Sequence, residues 1–220
     1  MLNKNWKKTA ILILLCNISA FLYAETYLNV FTGFTIFTDH YPEDDYSRKQ
    51  IGFNLNAALY YFPGDFPLGF FTRISYNGTT PVMEEIKRES MEPRKCSIMD
   101  LRAVIAPSFM LKPRSNIHIP LSIGPILVFT NEKSTEKLIS TNTNYSYQSL
   151  GGGIHANSAV FIFFPNGLFI SPGISFDYIF LRAEKGEMRM NYRTTHNDSF
   201  KRTSYYALNF SVYCGMGILF

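Results

Sequence analysis

Cysteine is scarce in this chain. There are 3 in 220 residues, and Cys16 lies in the N-terminal segment, which leaves Cys96 and Cys214. That is too few for the disulfide framework on which small exported domains rely. Long hydrophobic runs are missing after residue 24. The longest, AVFIFF and IGPILVF, are strand-sized, far short of the ~20 residues that a membrane helix needs. A membrane-embedded form would therefore have to cross as a closed barrel. An excess of charge is missing too. Residues 1–24 hold three of the 21 basic residues and none of the 17 acidic ones, so the rest of the chain has 18 against 17. The pI of about 8.9 reflects that segment in part and gives no ground for a nucleic-acid partner. Among His40, His118, His155 and His196 no two share a metal-ligand spacing. Nothing in the sequence calls for a metal or a cofactor.

What is present begins with the N-terminal segment MLNKNWKKTAILILLCNISAFLYAE. It has a basic head at Lys4, Lys7 and Lys8, an apolar stretch from Ala10 to about Leu22, and Ala24 before Glu25. This is the layout of a secretory signal peptide. The expected division is a signal peptide over 1–24 and one β-barrel domain over 25–220. Cys16 follows Leu15, where a lipoprotein site would have a small residue, so lipidation is not the expectation.

The mature sequence alternates. In QIGFNLNAALYY, the apolar set Ile51, Phe53, Leu55, Ala57, Leu59 and Tyr61 is interleaved with Gly52, Asn54, Asn56, Ala58 and Tyr60. In SIMDLRAVIAPSFML, one face is Met99, Leu101, Ala103, Ile105, Pro107, Phe109 and Leu111, and the other is Asp100, Arg102, Val104, Ala106, Ser108 and Met110. A period of two is a strand with one oily face. Similar patterns over 26–39, 68–77, 117–129, 147–164, 168–181 and 204–220 bring the total to eight strands. Most are longer than the ~5–6 residues typical of soluble sheets, and long enough to cross a bilayer at a tilt.

Short and long connections alternate. FPGDFP, KPRSN and PNG are compact turns, whereas 40–49, 78–96, 130–146 and 182–203 are longer and carry most of the charge. On the apolar face, Tyr61, Phe109, Phe164 and Phe220 fall at the short-turn ends of their strands. Tyr76, Phe129, Tyr178, Phe180 and Tyr206 fall at the long-loop ends. Two aromatic rings bounding an aliphatic belt suit a lipid interface. Pro107, Pro120, Pro125 and Pro172 fall inside proposed strands, where each removes a ladder donor; they are read as bulges or strand ends.

These features resemble the small eight-stranded outer-membrane proteins of diderm bacteria, the class that holds OmpX, OmpW and the membrane domain of OmpA. The resemblance is architectural and covers the whole mature chain. It implies an all-β fold, a closed antiparallel eight-stranded transmembrane β-barrel, built as an up-and-down meander with short periplasmic turns, long extracellular loops and both termini periplasmic. In that class the last strand ends on an aromatic residue and serves as the signal for the barrel assembly machinery. Phe220, Ile218, Met216, Cys214 and Val212 match that pattern.

Eight strands enclose space that side chains can fill, so inward polar residues are expected to pair with one another. Arg73, Asp100, Arg102 and Asp177 fall at one depth and form the expected charge-neutral plug, with Asn54, Asn56 and Asn209 as hydrogen-bonding neighbours. A gate whose ion pairs rearrange is the functional alternative to a static plug. The segment GGGIHANSAV resembles the His-x-Ser arrangement of outer-membrane lipid A deacylases. Here His155 and Ser158 are three apart, which on a strand puts them on opposite faces. His118 and Ser122 share a face, but about 13 Å of strand separates them, so no catalytic residue is expected. The last loop is basic, with Arg182, Lys185, Arg189, Arg193, Lys201 and Arg202. It suits contact with anionic lipopolysaccharide, glycans or a host surface, or is an ordinary solvated loop.

The expected role is therefore structural or surface-interacting, as a monomer, with outer-membrane lipid, lipopolysaccharide and the assembly machinery as partners. A narrow conduit for small apolar molecules, as the likeness to OmpW implies, and a lipid-modifying enzyme are the alternatives.

Overall fold

The computed structural model describes residues 24–41, 46–64, 66–79, 82–83, 95–137, 142–190, 193–198 and 206–220. The segment 1–23, and with it most of the expected signal peptide, lies outside the described residues. The strands in chain order are β1 (Glu25–Tyr41), β2 (Tyr46–Phe62), β3 (Leu68–Thr79), β4 (Val82–Met83), β5 (Lys95–Arg114), β6 (Ile117–Lys137), β7 (Asn142–Ala159), β8 (Phe161–Phe163), β9 (Leu168–Ile170), β10 (Gly173–Met190), β11 (Arg193–Asp198) and β12 (Tyr206–Leu219).

Among the described residues, eight long antiparallel strands close into a ring. The order is β1, β2, β3, β5, β6, β7, β10 and β12, and β12 returns to β1. β8 and β9 carry the β7 and β10 walls on to the short turn between them, while β4 and β11 are ribbons attached to β5 and β10. The closing seam runs in unbroken register from Tyr27↔Leu219 to His40↔Tyr206. The last residue is zipped in as well, because Phe220 N–H donates to the Thr26 carbonyl at 2.9 Å. Closure is the only arrangement that leaves no sheet edge.

Along each wall the alternation sorts residues by face. On β2, Asn54, Asn56, Ala58 and Tyr60 are buried while Ile51, Phe53, Leu55 and Leu59 are exposed. On β5, Asp100, Arg102, Val104, Ala106, Ser108 and Met110 point inward. On β12, Leu208, Phe210, Val212, Cys214 and Met216 point outward. The exposed side chains are the apolar ones, among them Phe34, Ile105 and Leu127 at 72%, 67% and 62%. A continuous apolar exterior of this extent is foreign to a water-soluble monomer.

The strands outrun the sequence-based expectation on the long-loop side. The connection expected over 130–146 is mostly strand, since β6 reaches Lys137 and β7 starts at Asn142. Likewise β10 reaches Met190 and pairs with β11, inside the loop expected over 182–203. There the period-two signal of the sequence fades while backbone pairing continues. In the short turns, Gly64 and Gly167 take φ of 59° and 80°, a region that side chains disfavour.

The strand prolines are accommodated in different ways. Pro107 and Pro125 fall in one gap of the β5–β6 ladder, between the pairs Val104↔Ile126 and Ser108↔Ser122. Two residues without an N–H thus share a single interruption. Pro120 keeps its place opposite Met110. Pro172 sits between β9 and β10 and accepts from Val160 N–H at 2.9 Å, which is why the walls expected at 147–164 and 168–181 are each broken once. A bulge at Phe180 separates the pairs Ile179↔Gly153 and Leu181↔Gly152. It leaves Phe180 and Leu181 both outward and swaps the faces beyond it.

An arginine in the middle of the apolar exterior should be costly only if lipid surrounds it. Leu127→Arg is expected to lower folding stability in phospholipid vesicles by about 2–4 kcal/mol, read by denaturant titration. In a water-surrounded barrel the same change would be neutral.

Candidate functional site

The inward residues fill the lumen in layers. At the short-turn end the fill is aromatic. Tyr27 meets Phe161 at 5.5 Å and Phe62 at 5.9 Å between ring centroids, and Phe161 stacks on Phe169 at 4.4 Å. Phe163 packs on His118 at 4.7 Å. The Tyr27 hydroxyl lies 2.9 Å from His118 Nδ1 and donates to Glu25 at 2.5 Å. Glu25 closes this end by accepting from Lys112 at 2.6 Å across the mouth. Burial alone pushes the Glu25 carboxyl up, but the hydrogen bonds from Lys112 and Tyr27 outweigh it and hold the group below its ordinary value.

This aromatic layer was absent from the sequence-based expectation, which placed aromatics on the outer face. A signal was available. On β2 the inward set runs Asn54, Asn56, Ala58, Tyr60, Phe62, turning from polar to aromatic toward the short turn.

Above it lies a layer of neutral hydrogen bonds. Asn157 donates to the Tyr60 hydroxyl at 2.9 Å and accepts from the Tyr213 hydroxyl at 2.6 Å. Asn54 donates to Thr35 at 2.7 Å, Thr35 lies 2.8 Å from Ser211, and Asn56 donates to Asn54 at 2.6 Å.

The ionic layer centres on Asp177. One carboxylate oxygen accepts from Arg102, and the other lies 2.5 Å from His155 Nδ1. Arg102 also donates to Asp100 at 2.6 Å and lies over the Phe37 ring. All four charged or ring groups are buried. Asp100, Arg102 and Asp177 therefore meet, and His155 joins them as the fourth member of the cluster. Among the described residues Arg73 does not meet a carboxylate. Its Nε donates to Ser75 at 2.6 Å, its guanidinium lies over Phe31, and Nη1 has no partner among the described residues. The register explains the difference, because Arg73 stands opposite Val104, while Ser75 stands opposite Arg102. Asn209 stands opposite Asp177 in the ladder and lines a recess of about 20 Å³ with Asp39, Asp100 and Arg182.

Arg182 belongs to this interior and not to a surface loop. The bulge at Phe180 turns it inward, where Nη2 lies 3.8 Å from Glu132. An even strand would have aimed this guanidinium at the apolar exterior. Of the other residues assigned to the basic loop, Lys185 and Arg189 lie on β10 and Arg193 on β11, and Lys201 and Arg202 lie outside the described residues. In the final strand Val212, Cys214, Met216 and Phe220 are exposed and Ile218 is half-buried.

The pairs considered for catalysis do not converge. His155 is buried in the lumen, whereas Ser158 is on the opposite, outward row. His118 and Ser122 are both inward and four residues apart, and Ser122 donates to Ser108 at 2.8 Å.

No protein-family model and no curated protein matches the chain. Its fold is similar to that of a major outer membrane protein from Thermus thermophilus, at 10% identity and a TM-score of 0.56, covering 90% of this chain and 99% of that one. Neisserial surface protein A aligns at 11% identity and a TM-score of 0.45, over 89% and 97% of the two chains. Ail, the attachment invasion locus protein of Yersinia pestis, aligns at 11% identity and a TM-score of 0.40, over 90% and 99%. At 10% identity the likeness to the Thermus protein shows a shared fold alone.

Removing the shared carboxylate should expose how the ionic layer is balanced. Asp177→Ala leaves Arg102 with one partner and His155 with none, and is expected to cost about 3–5 kcal/mol in denaturant titration of the refolded barrel. Adding Arg102→Met would strand Asp100 as a buried carboxylate without its cation, so the double change is expected to be less stable than the single one.

Proposed function

We propose that this chain is a bacterial outer-membrane protein whose barrel is an occluded, rigid frame. It holds its polar extensions outside the cell for structural or surface-interacting work. The observation that carries the reading is the lumen, filled in succession by the aromatic layer around Tyr27 and Phe161, the Tyr60–Asn157–Tyr213 layer and the Asp177 cluster. The apolar exterior supports a membrane site, as does the fold shared with a protein named for the outer membrane. In this reading the short turns face the periplasm and both termini lie there.

The final strand, ending at Phe220, is the segment that the assembly machinery would read. Basic residues along β10 and β11 and in the segment after them favour an anionic surface partner, such as lipopolysaccharide or a host glycan. A conduit for small apolar molecules has less support, because the aromatic layer around Tyr27, Phe161 and Phe169 lies across the short-turn end of the lumen. An enzymatic role has none in the geometry of His155 and Ser158.

The test is single-channel recording of the refolded protein in planar bilayers. An occluded frame gives no steady conductance, and Arg73→Ala leaves it silent. Discrete openings that Arg73→Ala abolishes would replace the static frame by a gate.

A further inference from the structure

The outward wall has a deep groove along β7. The outward row of this strand runs Leu150, Gly152, Ile154, Ala156, Ser158, turning small toward the short-turn end. Its neighbours do not. Ala156 stands between Ile123 on β6 and Phe176 on β10, and Ser158 between Leu121 and Ile174. Phe109 and Phe210 close the flanks, and the groove encloses about 460 Å³. Ile154, one rung further along the outward row, is exposed and ends the depression on the long-loop side.

A cation stands at the rim below the groove. β5 ends at Lys112 and Arg114, and Lys112 is taken by Glu25. Arg114 is exposed, with no ion-pair partner among the described residues. It pairs in the ladder with Ile117, four residues before Leu121, so roughly 13 Å of strand separates rim from groove. That is the reach of a lipid from its phosphate into its acyl chain.

We propose that the β7 groove and Arg114 form a binding site for one phospholipid with an anionic headgroup. An acyl chain lies along Ala156 and Ser158, and the phosphate sits at Arg114. The inference rests on the membrane reading above, with the short turns on the phospholipid side. The groove is continuous with the apolar belt, so methylene groups are its natural fill, and an unfilled groove forfeits dispersion contacts along both walls. A flexible chain can follow a floor set between Ile123 and Phe176, whereas the convex wall of a second barrel meets those ridges first. The Ser158 hydroxyl, at the rim end, can donate to an ester carbonyl.

The test uses the mature barrel refolded into vesicles of equal phosphatidylglycerol and phosphatidylethanolamine, extracted into mild detergent and weighed by native mass spectrometry. One retained phosphatidylglycerol per barrel is expected, favoured about fivefold, the equivalent of the ~1 kcal/mol that one basic residue gains beside an anionic surface. Ala156→Leu with Ser158→Leu fills the groove and should abolish the adduct. Arg114→Glu should keep an adduct but remove the preference. Ala103→Leu, exposed on β5 away from the groove, should change neither. Heat-modifiable electrophoretic mobility confirms that each variant is folded. An adduct that survives groove filling, or wild type with no headgroup preference, overturns the site. So does a dimer that groove filling converts to monomer without altering lipid retention. A wild-type chain that fails to enter vesicles at all would instead refute the membrane reading beneath it.

Discussion

The pairing of β1 with β12 is the contact on which everything else depends. It joins the two ends of the described chain through fourteen facing residue pairs and removes the last free edge of the sheet. Without it, two rows of backbone N–H and C=O groups would lie open beside an apolar exterior, where no water could satisfy them. Closure makes the exterior compatible with hydrocarbon. The outward face can then be Phe34, Ile105, Leu127 and Met216, because no backbone group there needs solvent.

Closure also creates the problem that the interior solves. Eight walls leave a narrow tube that must be packed or wetted. This chain packs it, and differently at its two ends. Toward the short turns the inward positions are aromatic, so burial needs few hydrogen bonds. Toward the long loops they include charges, and two of the arginines are compensated by carboxylates: Arg102 by Asp100 and Asp177, Arg182 by Glu132. Replacing such a network with apolar side chains would often be neutral or stabilising, whereas breaking it from one side is costly. The bulge at Phe180 serves the same compensation. One extra residue delivers Arg182 to the interior where regular alternation would have sent it into the belt.

Much of this was legible in the sequence, for a physical reason. Where one face meets lipid and the other a polar lumen, the pattern of Ile51 to Tyr61, of Met99 to Leu111 and of Leu208 to Met216 states the face of every residue. The same contrast explains the failures. In the extensions of β6, β7 and β10 the apolar alternation fades, so they looked like loops. A bulge adds one residue without any compositional mark, so Arg182 was assigned to the basic surface loop and not to the interior. Depth along a strand does not fix lateral partners either: Arg73 fell at the level of the aspartates, yet it stands between Ala58 and Val104 in the ladder, and its side chain meets Ser75 and Phe31. Inward aromatics were hidden because aromatic residues on both faces of a strand end look alike in composition. The sequence set His155 and Ser158 on opposite faces, but only the β7–β10 register, which sets His155 opposite Asp177, identifies its partner.

The central claim is that the even-numbered residues of β12 lie in hydrocarbon and the odd-numbered ones in a closed interior. Spin labels placed one at a time from Leu208 to Met216, in a background where Cys96 and Cys214 are replaced by alanine, test it directly in lipid bilayers. A lipid-facing even set gives collision rates with dissolved oxygen that rise and fall with a period of two, and low rates with a water-soluble nickel complex throughout. Uniform access of the nickel complex to the even positions would contradict it.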